Sequence, residues 1–384
     1  MLGISGERER LTYGRAEDRI AQRPLVLITI DTARTDTMQV YGAATRNTPF
    51  LARLRSEGQL RAYDNTHALC TSSYCGLIGI LASRYWSGMT GQLGNLPDAL
   101  KARGYRNLFF LSGHHRTYFG LADHYGPNVD FYRDVWNRGE RHINEDAVIL
   151  DWLDEAEIGR SPREFLWFHL MAAHPLAYRS GQSDLAVADW GSAGSNRPAD
   201  QALAAYIERY HAGLREADRV IEQVFARLDA AGILEDALVI ITSDHGEHLG
   251  EGGLTGHGKP PVYPLTSVPL LVYGEGAADW PARNPASAVD IAPTFLEAIG
   301  APTPVQWDGV ALQLPTQRCA VESASDGHRV LTTRDGKRDF RLWEIDGKDE
   351  FLGPLKDAIL PTEAVAGPET KIMATRARNC LSDR

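Results

Sequence analysis

The sequence has no long uninterrupted apolar run. In its 384 residues, no stretch approaches the roughly 20 apolar residues that a helix needs to cross a bilayer. Residues 1–23 also lack the apolar core of a secretory signal. The sequence therefore predicts no transmembrane segment in this chain. We expect a cytoplasmic location if the chain is complete, and a periplasmic or extracytoplasmic one if it is a fragment of a membrane-anchored protein.

Positive charge is also in short supply. The chain has 40 Lys and Arg residues against 50 Asp and Glu, which gives a formal net charge of −10. A protein whose main ligand is nucleic acid needs a basic surface to neutralise phosphates, so this balance argues against nucleic acid as a partner. A small phosphate ester stays open, because a metal ion, a histidine or a lysine supplies enough positive charge locally.

Cysteine is scarce as well. The chain has 4 cysteines, Cys70, Cys75, Cys319 and Cys380, without Cys-x-x-Cys spacing, so neither a disulfide framework nor a zinc knuckle is expected. A Cys70–Cys75 bridge is conceivable. Because unpaired cysteines are more often small buried hydrophobic side chains, we expect that role here.

What the sequence does contain is a series of short runs rich in Val, Ile, Leu and Phe, separated by segments of helical periodicity. The clearest helix covers residues 201–230, where Tyr206 and Tyr210 begin an apolar stripe that continues to Leu228. Buried strands alternating with amphipathic helices predict a mostly parallel sheet covered on both faces. In such sheets the functional groups gather beyond the carboxyl ends of the strands. The runs lie at 24–30, 106–111, 164–170, 237–243 and 268–274.

The chain divides into three predicted parts. Residues 1–23 form an amino-terminal extension, residues 24–316 the catalytic domain, and residues 317–384 a small carboxyl-terminal part. Short candidate strands split by Asp-Gly turns indicate an antiparallel subdomain in the last part. Within the catalytic domain, residues 178–200 are rich in Gly, Ser and Asp and are predicted to form a long surface loop.

Acidic and imidazole side chains follow several of the predicted strands. Asp31 comes directly after the first run, Asp244 and His245 follow the fourth, and the third run contains His169 and leads to His174. A single Asp after a strand is usually a helix cap. Several such groups at one edge of a sheet favour a divalent cation, which two carboxylates and an imidazole would bind together.

A cluster of hydroxyls, Thr71-Ser72-Ser73, precedes an apolar segment that begins at Cys75. Serine at a helix start is most often an N-cap. A hydroxyl there is also close to the positive end of the helix dipole, which attracts anions, and a nearby metal ion would activate it as a nucleophile.

Five segments, in order, resemble the alkaline phosphatase/sulfatase superfamily, in the branch with phosphoethanolamine transferases and lipoteichoic-acid synthases. They are LITIDTARTDTMQVYG, the segment from Ser73 to Arg84, FHLMAAHPLAY, LVIITSDHGEHLGEGGLTGHGK, and SAVDIAPTFLEAIGAP followed by WDGVAL. They span roughly residues 24–315. The resemblance implies an α/β fold of alkaline phosphatase-like type: a three-layer α/β/α sandwich with a mostly parallel central sheet and a small C-terminal antiparallel subdomain.

The resemblance also implies roles for individual residues. Asp31, Asp244 and His245 would hold a catalytic metal, with Ser73 as nucleophile and fourth ligand. Thr71 and Ser72 remain rival nucleophiles. The predicted substrate-binding residues are His174 and His257, which would contact the transferred group or the leaving oxygen, Lys259, which would add positive charge, and His114 or His115. Glu247 and His248 are given no direct role as ligands.

Two departures from the formylglycine sulfatases refine the functional hypothesis. Neither Cys70 nor Cys75 begins a Cys-x-Pro-x-Arg motif, and Thr32 stands where those sulfatases commonly carry a second Asp. Both favour a single-metal enzyme acting on phosphate esters, with zinc or manganese as the cation and calcium or magnesium as further options. We therefore expect a metal-dependent phosphoester hydrolase or phosphotransferase with a covalent phospho-enzyme intermediate.

The expected substrate is a small-molecule phosphate ester, or a phosphate ester of a glycan or a lipid headgroup. Two alternatives stay open from the sequence. One is a sulfuric ester hydrolase that works without formylglycine. The other is a non-catalytic binding protein with the same fold, which predicts an incomplete set of metal ligands.

Overall fold

A seven-stranded sheet forms the centre of the fold. The computed structural model describes residues 7–14, 20–86, 89–138, 145–174, 199–258 and 261–316, together with four strands after residue 319. The strands are β1 Leu25–Ile30, β2 Leu60–Ala62, β3 Thr66–His67, β4 Arg106–Leu111, β5 Phe131–Asp134, β6 Glu164–Leu170, β7 Leu238–Thr242, β8 His248–Leu249, β9 Thr255–Gly256, β10 Leu270–Tyr273, β11 Ala286–Ser287, β12 Ala320–Ser323, β13 Arg329–Asp335, β14 Arg338–Ile345 and β15 Lys348–Pro354.

The central sheet has the strand order β2-β10-β7-β1-β6-β4-β5. The neighbours from β7 to β5 are parallel, whereas β10 runs antiparallel to both β7 and β2. Ile30 of β1 pairs with Leu170 of β6, and Leu111 of β4 pairs with His169 of β6. The carboxyl ends of the parallel strands are therefore level, and the loops that follow them meet at one edge.

Helices cover both faces of this sheet. The α-helices are α1 Pro49–Ser56, α2 Ser73–Ala82, α3 Leu96–Lys101, α4 Leu121–Tyr125, α5 Val148–Ala156, α6 Ala199–Ala230, α7 Tyr263–Thr266 and α8 Ile291–Ala298.

Two hydrophobic cores lie on the two sides of the sheet. Successive side chains of a strand point to opposite faces, so Leu25 and Leu27 of β1 pack with residues of α2, α3 and α8. Val26 and Ile28 pack on the other side with residues of α1, α5 and α6. The predicted three-layer sandwich with a mostly parallel sheet is thereby confirmed.

The five predicted strands correspond to β1, β4, β6, β7 and β10, and the predicted helix corresponds to α6. The helix begins at Ala199, so residues 199 and 200 do not belong to the predicted loop. No helix-breaking residue separates them from Gln201, and the helical backbone continues through them. The rest of that loop, residues 178–198, lies outside the described residues.

The predicted antiparallel strands near the carboxyl terminus are present as a sheet of order β12-β13-β14-β15. The boundaries of the three predicted parts of the chain stay predictions. Among the described residues, none of the helices combines the length and the apolar character that a membrane crossing requires.

Candidate active site

The first strand and the second helix bring Asp31 and Ser73 together. Asp31 follows β1, where its backbone N–H donates to the Leu170 carbonyl at 2.8 Å. Ser73 is the first residue of α2, so its side chain lies at the positive end of that helix. The Ser73 Oγ lies 3.2 Å from Asp31 Oδ2, and both residues are buried.

Asp244 and His245 approach the same hydroxyl from the end of β7. The His245 Nδ1–H donates to the Gly246 carbonyl at 2.8 Å. This hydrogen bond fixes the tautomer and leaves the lone pair on Nε2, which lies 3.1 Å from Ser73 Oγ. The Asp244 Oδ2 lies 3.5 Å from the same His245 nitrogen. One ring nitrogen is thus held by the backbone and the other faces the carboxylates and the serine.

The donor set fits a divalent cation. Ligand atoms of Asp31, Asp244 and His245 lie within 4.8 Å of one another, and all three residues are buried. Asp31 Oδ1 and Asp244 Oδ2 are buried without a hydrogen-bond partner among the described residues. Unpaired buried carboxylate oxygens are costly, and a cation that accepts their lone pairs removes that cost. Two carboxylates with one imidazole suit zinc or manganese among other cations.

The electrostatics of the two carboxyl groups differ. Burial disfavours the charged form of Asp31, but the neighbouring imidazoles of His174, His169 and His245 hold the pKa of Asp31 below its usual range. Burial and the negative charge of Asp31 raise the pKa of Asp244. Without a cation the pair therefore favours one negative charge over two.

A chain of buried aromatic side chains lies behind Asp31. The His169 Nε2 is 3.4 Å from Asp31 Oδ2, and its Nδ1 shares a hydrogen bond of 2.8 Å with His115 Nε2. The other ring nitrogen of His115 is hydrogen-bonded to the Tyr125 hydroxyl. Both ring nitrogens of His115 therefore have protein partners.

His257 lies beside His245, and His174 lies beside His257. The His257 ring centroid is 4.4 Å from that of His245 and 5.2 Å from that of His174. Burial lowers the pKa of His174 to about 4. Burial also disfavours a charge on His257, but the hydrogen bond from its Nδ1 to Glu247 Oε2, at 2.6 Å, raises the pKa of His257.

These groups surround a cavity of about 430 Å³. The lining combines Asp31, Ser73 and the histidines with apolar side chains from α2 and from the connection after β4. The residues that line it are Asp31, Ser73, Leu77, Gly113, His114, His115, Tyr118, Leu121, His169, Met171, His174, Gly256 and His257. The structure thus places His114, His115, His174 and His257 in one cavity with Ser73. Lys259 lies outside the described residues.

The two rival nucleophiles lie just before Ser73. Ser72 Oγ lies 3.3 Å from Cys75 Sγ. Thr71 is buried, and its carbonyl accepts from the Gly258 backbone N–H at 2.7 Å.

The cysteines beside these hydroxyls correct one expectation. Cys70 and Cys75 form a disulfide that spans Ser72 and Ser73, whereas the sequence favoured two unpaired hydrophobic side chains. The pairing arises because α2 begins between them and turns Cys75 back toward Cys70, with the two Cα atoms 5.8 Å apart.

Glu247 and His248, for which the sequence left open a position behind the ligands or in solvent, are both buried. Glu247 is fully buried and accepts hydrogen bonds from His257 and from the Tyr206 hydroxyl. Burial raises the pKa of its carboxyl, but these two hydrogen bonds outweigh it and lower the pKa of Glu247. The signal in the sequence was Tyr206 itself, a residue with a hydroxyl group at the start of an apolar stripe. His248 is buried, with Nδ1 3.7 Å from Glu251.

The backbone after Asp31 is strained. Thr32 has a φ of 63°, a conformation that costs a β-branched residue on the order of 1–3 kcal/mol. The Tyr210 hydroxyl donates to the Thr32 carbonyl at 3.0 Å, and the Arg34 N–H donates to the same hydroxyl at 3.0 Å. Helix α6 therefore holds the turn that carries Asp31.

Curated relatives match parts of the chain. The Extracellular sulfatase SULF-1 homolog of Drosophila melanogaster is 38% identical over 97 residues, which are 25% of this chain and 9% of that protein. Arylsulfatase K of Bos taurus is 24% identical over 353 residues, which cover 75% of this chain and 65% of that protein. The chain thus spans less than two thirds of the length of these relatives.

Solved structures share the fold. The phosphonate monoester hydrolase of Agrobacterium radiobacter superposes with a TM-score of 0.69 at 17% identity, over 94% of this chain and 95% of that chain. The C-terminal periplasmic domain of EcEptC from Escherichia coli, in complex with Zn, gives a TM-score of 0.63 at 16% identity, over 83% and 94% of the two chains. The sulfatase family model matches residues 23–301, more than half of the sequence. The chain therefore belongs to the sulfatase family, within the alkaline phosphatase superfamily.

Proposed function

We propose that this chain is a metal-dependent phosphoester hydrolase or phosphotransferase whose nucleophile is Ser73. One observation carries the proposal: the Ser73 Oγ, at the start of α2, lies 3.2 Å from Asp31 Oδ2 and 3.1 Å from His245 Nε2. The N-cap position of α2 belongs to Ser72, so the Ser73 hydroxyl has no capping role in its own helix. This hydroxyl instead contacts two members of the cluster that fits a cation.

Asp31, Asp244 and His245 would hold the cation, with Ser73 beside them. When bound, a divalent cation lowers the pKa of an adjacent hydroxyl and neutralises negative charge on a phosphoryl group. The solved EcEptC domain in complex with Zn supports zinc as the first ion to test. Without a cation, the two carboxylates would repel an anionic ester from this end of the cavity.

The chain's own residues account for the remaining steps. Ser73 Oγ gives up its proton and attacks phosphorus in line. The bond from phosphorus to the ester oxygen breaks as the phosphoserine forms, and the leaving oxygen takes up a proton and departs as an alcohol. His174 and His257 contact the oxygens of the transferred group or the leaving oxygen. Water in a hydrolase, or an acceptor hydroxyl in a transferase, then attacks phosphorus and releases Ser73.

The apolar part of the cavity lining supports a particular choice of test substrate. Leu77, Tyr118 and Leu121 belong to that lining, so an apolar group on the ester oxygen could be buried against apolar side chains. Both ring nitrogens of His115 are occupied by Tyr125 and His169, so we assign the substrate contact in this region to His114.

The test is a substrate panel on the protein loaded with zinc or manganese. Aryl phosphate monoesters, aryl phosphate diesters and aryl sulfates are offered with and without a hydroxyl acceptor. We expect turnover of a phosphate ester and a phosphoserine at position 73 in acid-quenched samples. The Ser73→Ala variant should lose turnover by more than about 10³-fold and keep its bound metal, whereas the matched Ser72→Ala variant should stay active. Full activity in Ser73→Ala would reject the assignment.

A second candidate function is the hydrolysis of sulfate monoesters, which the similarity to the Drosophila extracellular sulfatase homolog and to arylsulfatase K of Bos taurus favours. The disulfide counts against a formylglycine version of this chemistry, because Cys70 and Cys75 are bonded to each other and offer no thiol for conversion. Faster turnover of aryl sulfates than of every phosphate ester in the panel would establish this second function. No bound metal on titration, together with no turnover of any ester, would instead favour a non-catalytic binding protein.

A further inference from the structure

We propose that Tyr206 and Glu247 are positioning residues that hold His257 in the orientation needed at the reacting group. The inference rests on the proposed function, since it concerns how His257 is presented to an ester in the cavity. It is based on a row of three side chains from three separate segments: Tyr206 from α6, Glu247 from the loop after β7, and His257 from the residue after β9.

The first step concerns His257 and Glu247. The His257 Nδ1 lies 2.6 Å from Glu247 Oε2, and because a carboxylate only accepts, Nδ1 carries the proton. The tautomer and the ring plane of His257 are thereby fixed, with Nε2 on the side of the ring turned away from Glu247. His257 lines the cavity with Ser73, so this row of contacts directs the second ring nitrogen toward the cavity.

The second step concerns what fixes Glu247. Its carboxylate is fully buried, and its other oxygen, Oε1, accepts from the Tyr206 hydroxyl. A buried carboxylate with both oxygens hydrogen-bonded has one stable rotamer, whereas one with a single partner would turn toward other donors. Tyr206 therefore determines where Glu247 holds His257.

The third step links Tyr206 to the backbone that carries His257. The Gly256 N–H donates to the Tyr206 hydroxyl at 3.3 Å, and Gly256 directly precedes His257. Strand β9, which ends at Gly256, pairs with β8, and Leu203, on the same helix as Tyr206, packs against Gly250 in the turn between them. The Tyr206 hydroxyl thus contacts both the Glu247 carboxylate, which binds His257, and the backbone N–H of Gly256, the residue before His257.

Tyr206 and Tyr210 are four residues apart and so lie on one face of α6. Tyr210 contacts the turn after Asp31, and Tyr206 contacts Glu247. The amino-terminal half of α6 therefore stabilises two strand-end loops through hydroxyl groups, in addition to the apolar packing of its remaining stripe.

The decisive kinetic test is a double-mutant cycle between Tyr206→Phe and His257→Ala. In the otherwise unchanged protein, Tyr206→Phe should lower kcat about tenfold with little change in KM, since hydrogen-bond partners behind a functional histidine typically contribute 10–100-fold. In the His257→Ala background the same change should have no effect. An equal loss in both backgrounds, or no loss in the first, would overturn the proposal.

The matched control is Tyr105→Phe. The Tyr105 hydroxyl is also partly buried and donates to the Arg23 carbonyl at 2.9 Å, at the opposite edge of the sheet. The Tyr105→Phe substitution should lower thermal stability to a similar degree as Tyr206→Phe and leave kcat unchanged. A loss of kcat in the control would show that any buried tyrosine hydroxyl matters, which contradicts a specific role for Tyr206.

A measurement on metal-free protein separates this inference from the proposed function. The hydrogen-bonded Nδ1 proton of His257 should give a downfield imidazole resonance, identified by its loss in His257→Ala. The signal should disappear in Glu247→Ala, shift in Tyr206→Phe and stay unchanged in Tyr105→Phe. If these results are obtained and no ester is turned over, the proposed function is rejected, whereas the positioning of His257 by Glu247 and Tyr206 is supported. An unchanged signal in Glu247→Ala would reject the row itself.

Discussion

Gly76, one turn into α2, lies directly against the carbonyl of Asp244. A Cβ built on Gly76 would stand 2.6 Å from the Asp244 carbonyl oxygen, closer than a Cβ approaches a non-bonded atom, and 3.1 Å from the Asp244 Cβ. The absence of a side chain at this one position allows the helix that carries Ser73 to pack against the strand end that carries Asp244 and His245.

Gly76→Ala should therefore push α2 away from the end of β7. A displacement of about 1 Å at a reacting group costs roughly 10²-fold in rate, so we expect kcat/KM to fall by about that factor while the fold persists. Steady-state kinetics and circular dichroism check both parts. Gly14→Ala is the matched control, because nothing lies within 4 Å of a Cβ at that position. Wild-type kinetics in Gly76→Ala would contradict the close-packing requirement.

Asp244→Asn should stabilise the metal-free protein while weakening metal binding. Asp31 and Asp244 are both buried, and removing one negative charge relieves their repulsion, for an expected gain of about 1–2 kcal/mol in the free energy of unfolding. The increase in melting temperature that zinc or manganese gives the wild type should be lost. Urea unfolding and metal titration measure the two effects, with the exposed Asp236→Asn as control. Equal stabilisation by metal in wild type and Asp244→Asn would exclude Asp244 as a ligand.

Asp218, which does not line the cavity, should make the stability of the protein depend on pH. Its carboxylate, on α6, accepts from the N–H groups of Phe50 and Leu51 at the start of α1, at 2.8 and 3.1 Å. Burial raises its pKa to about 6, even though these two hydrogen bonds oppose the rise. The folded protein therefore binds this proton more tightly than the unfolded chain does, and the associated stability, present near pH 4, is lost as pH rises through about 6.

A rise from 3.8 to about 6 corresponds to roughly 3 kcal/mol. We therefore expect the wild type to gain up to that amount relative to Asp218→Asn between pH 7 and pH 4, as measured by urea unfolding at each pH. The Asp229→Asn variant, on the exposed side of the same helix, should follow the wild type. A difference between wild type and Asp218→Asn that does not change with pH would refute the assignment.

Replacing both Cys70 and Cys75 by Ala should lower the free energy of unfolding by roughly 2 kcal/mol, the value expected for so short a cross-linked loop. Because the loop includes Ser73, kcat should fall together with stability. Denaturant unfolding and kinetics under oxidising and reducing conditions provide the measurement. A wild-type protein that titrates with two additional free thiols after unfolding without reductant would show that the bridge does not form.

The strand ends of the site were predictable because each rests on a local pattern. Asp31 and Asp244 each follow an apolar run of strand length, and the parallel arrangement of such runs brings their ends to one edge. The choice of Ser73 over Thr71 and Ser72 came from the family resemblance. The geometry that supports it depends on where α2 begins, which the sequence places only to within a few residues.

The remaining contacts could not be inferred because they join residues far apart in the chain. Helical periodicity identifies the face of α6 that packs on the sheet, but it does not reveal that the Tyr206 hydroxyl reaches Glu247. Likewise His114 and His115 are equivalent in sequence terms, and only the turn after β4 places the second of them between Tyr125 and His169. The Cys70–Cys75 spacing carried no information about the direction in which the chain turns.

The cavity is assembled from two sources that can change independently. Ser73 comes from the start of α2 and the three proposed metal ligands come from strand ends anchored in the sheet, whereas Tyr118 and Leu121 come from the connection after β4. Substitutions in that connection could therefore alter which ester is accepted while Ser73 and the proposed metal ligands stay unchanged. Such a division would allow substrate specificity to diverge among related chains while the reaction itself is conserved.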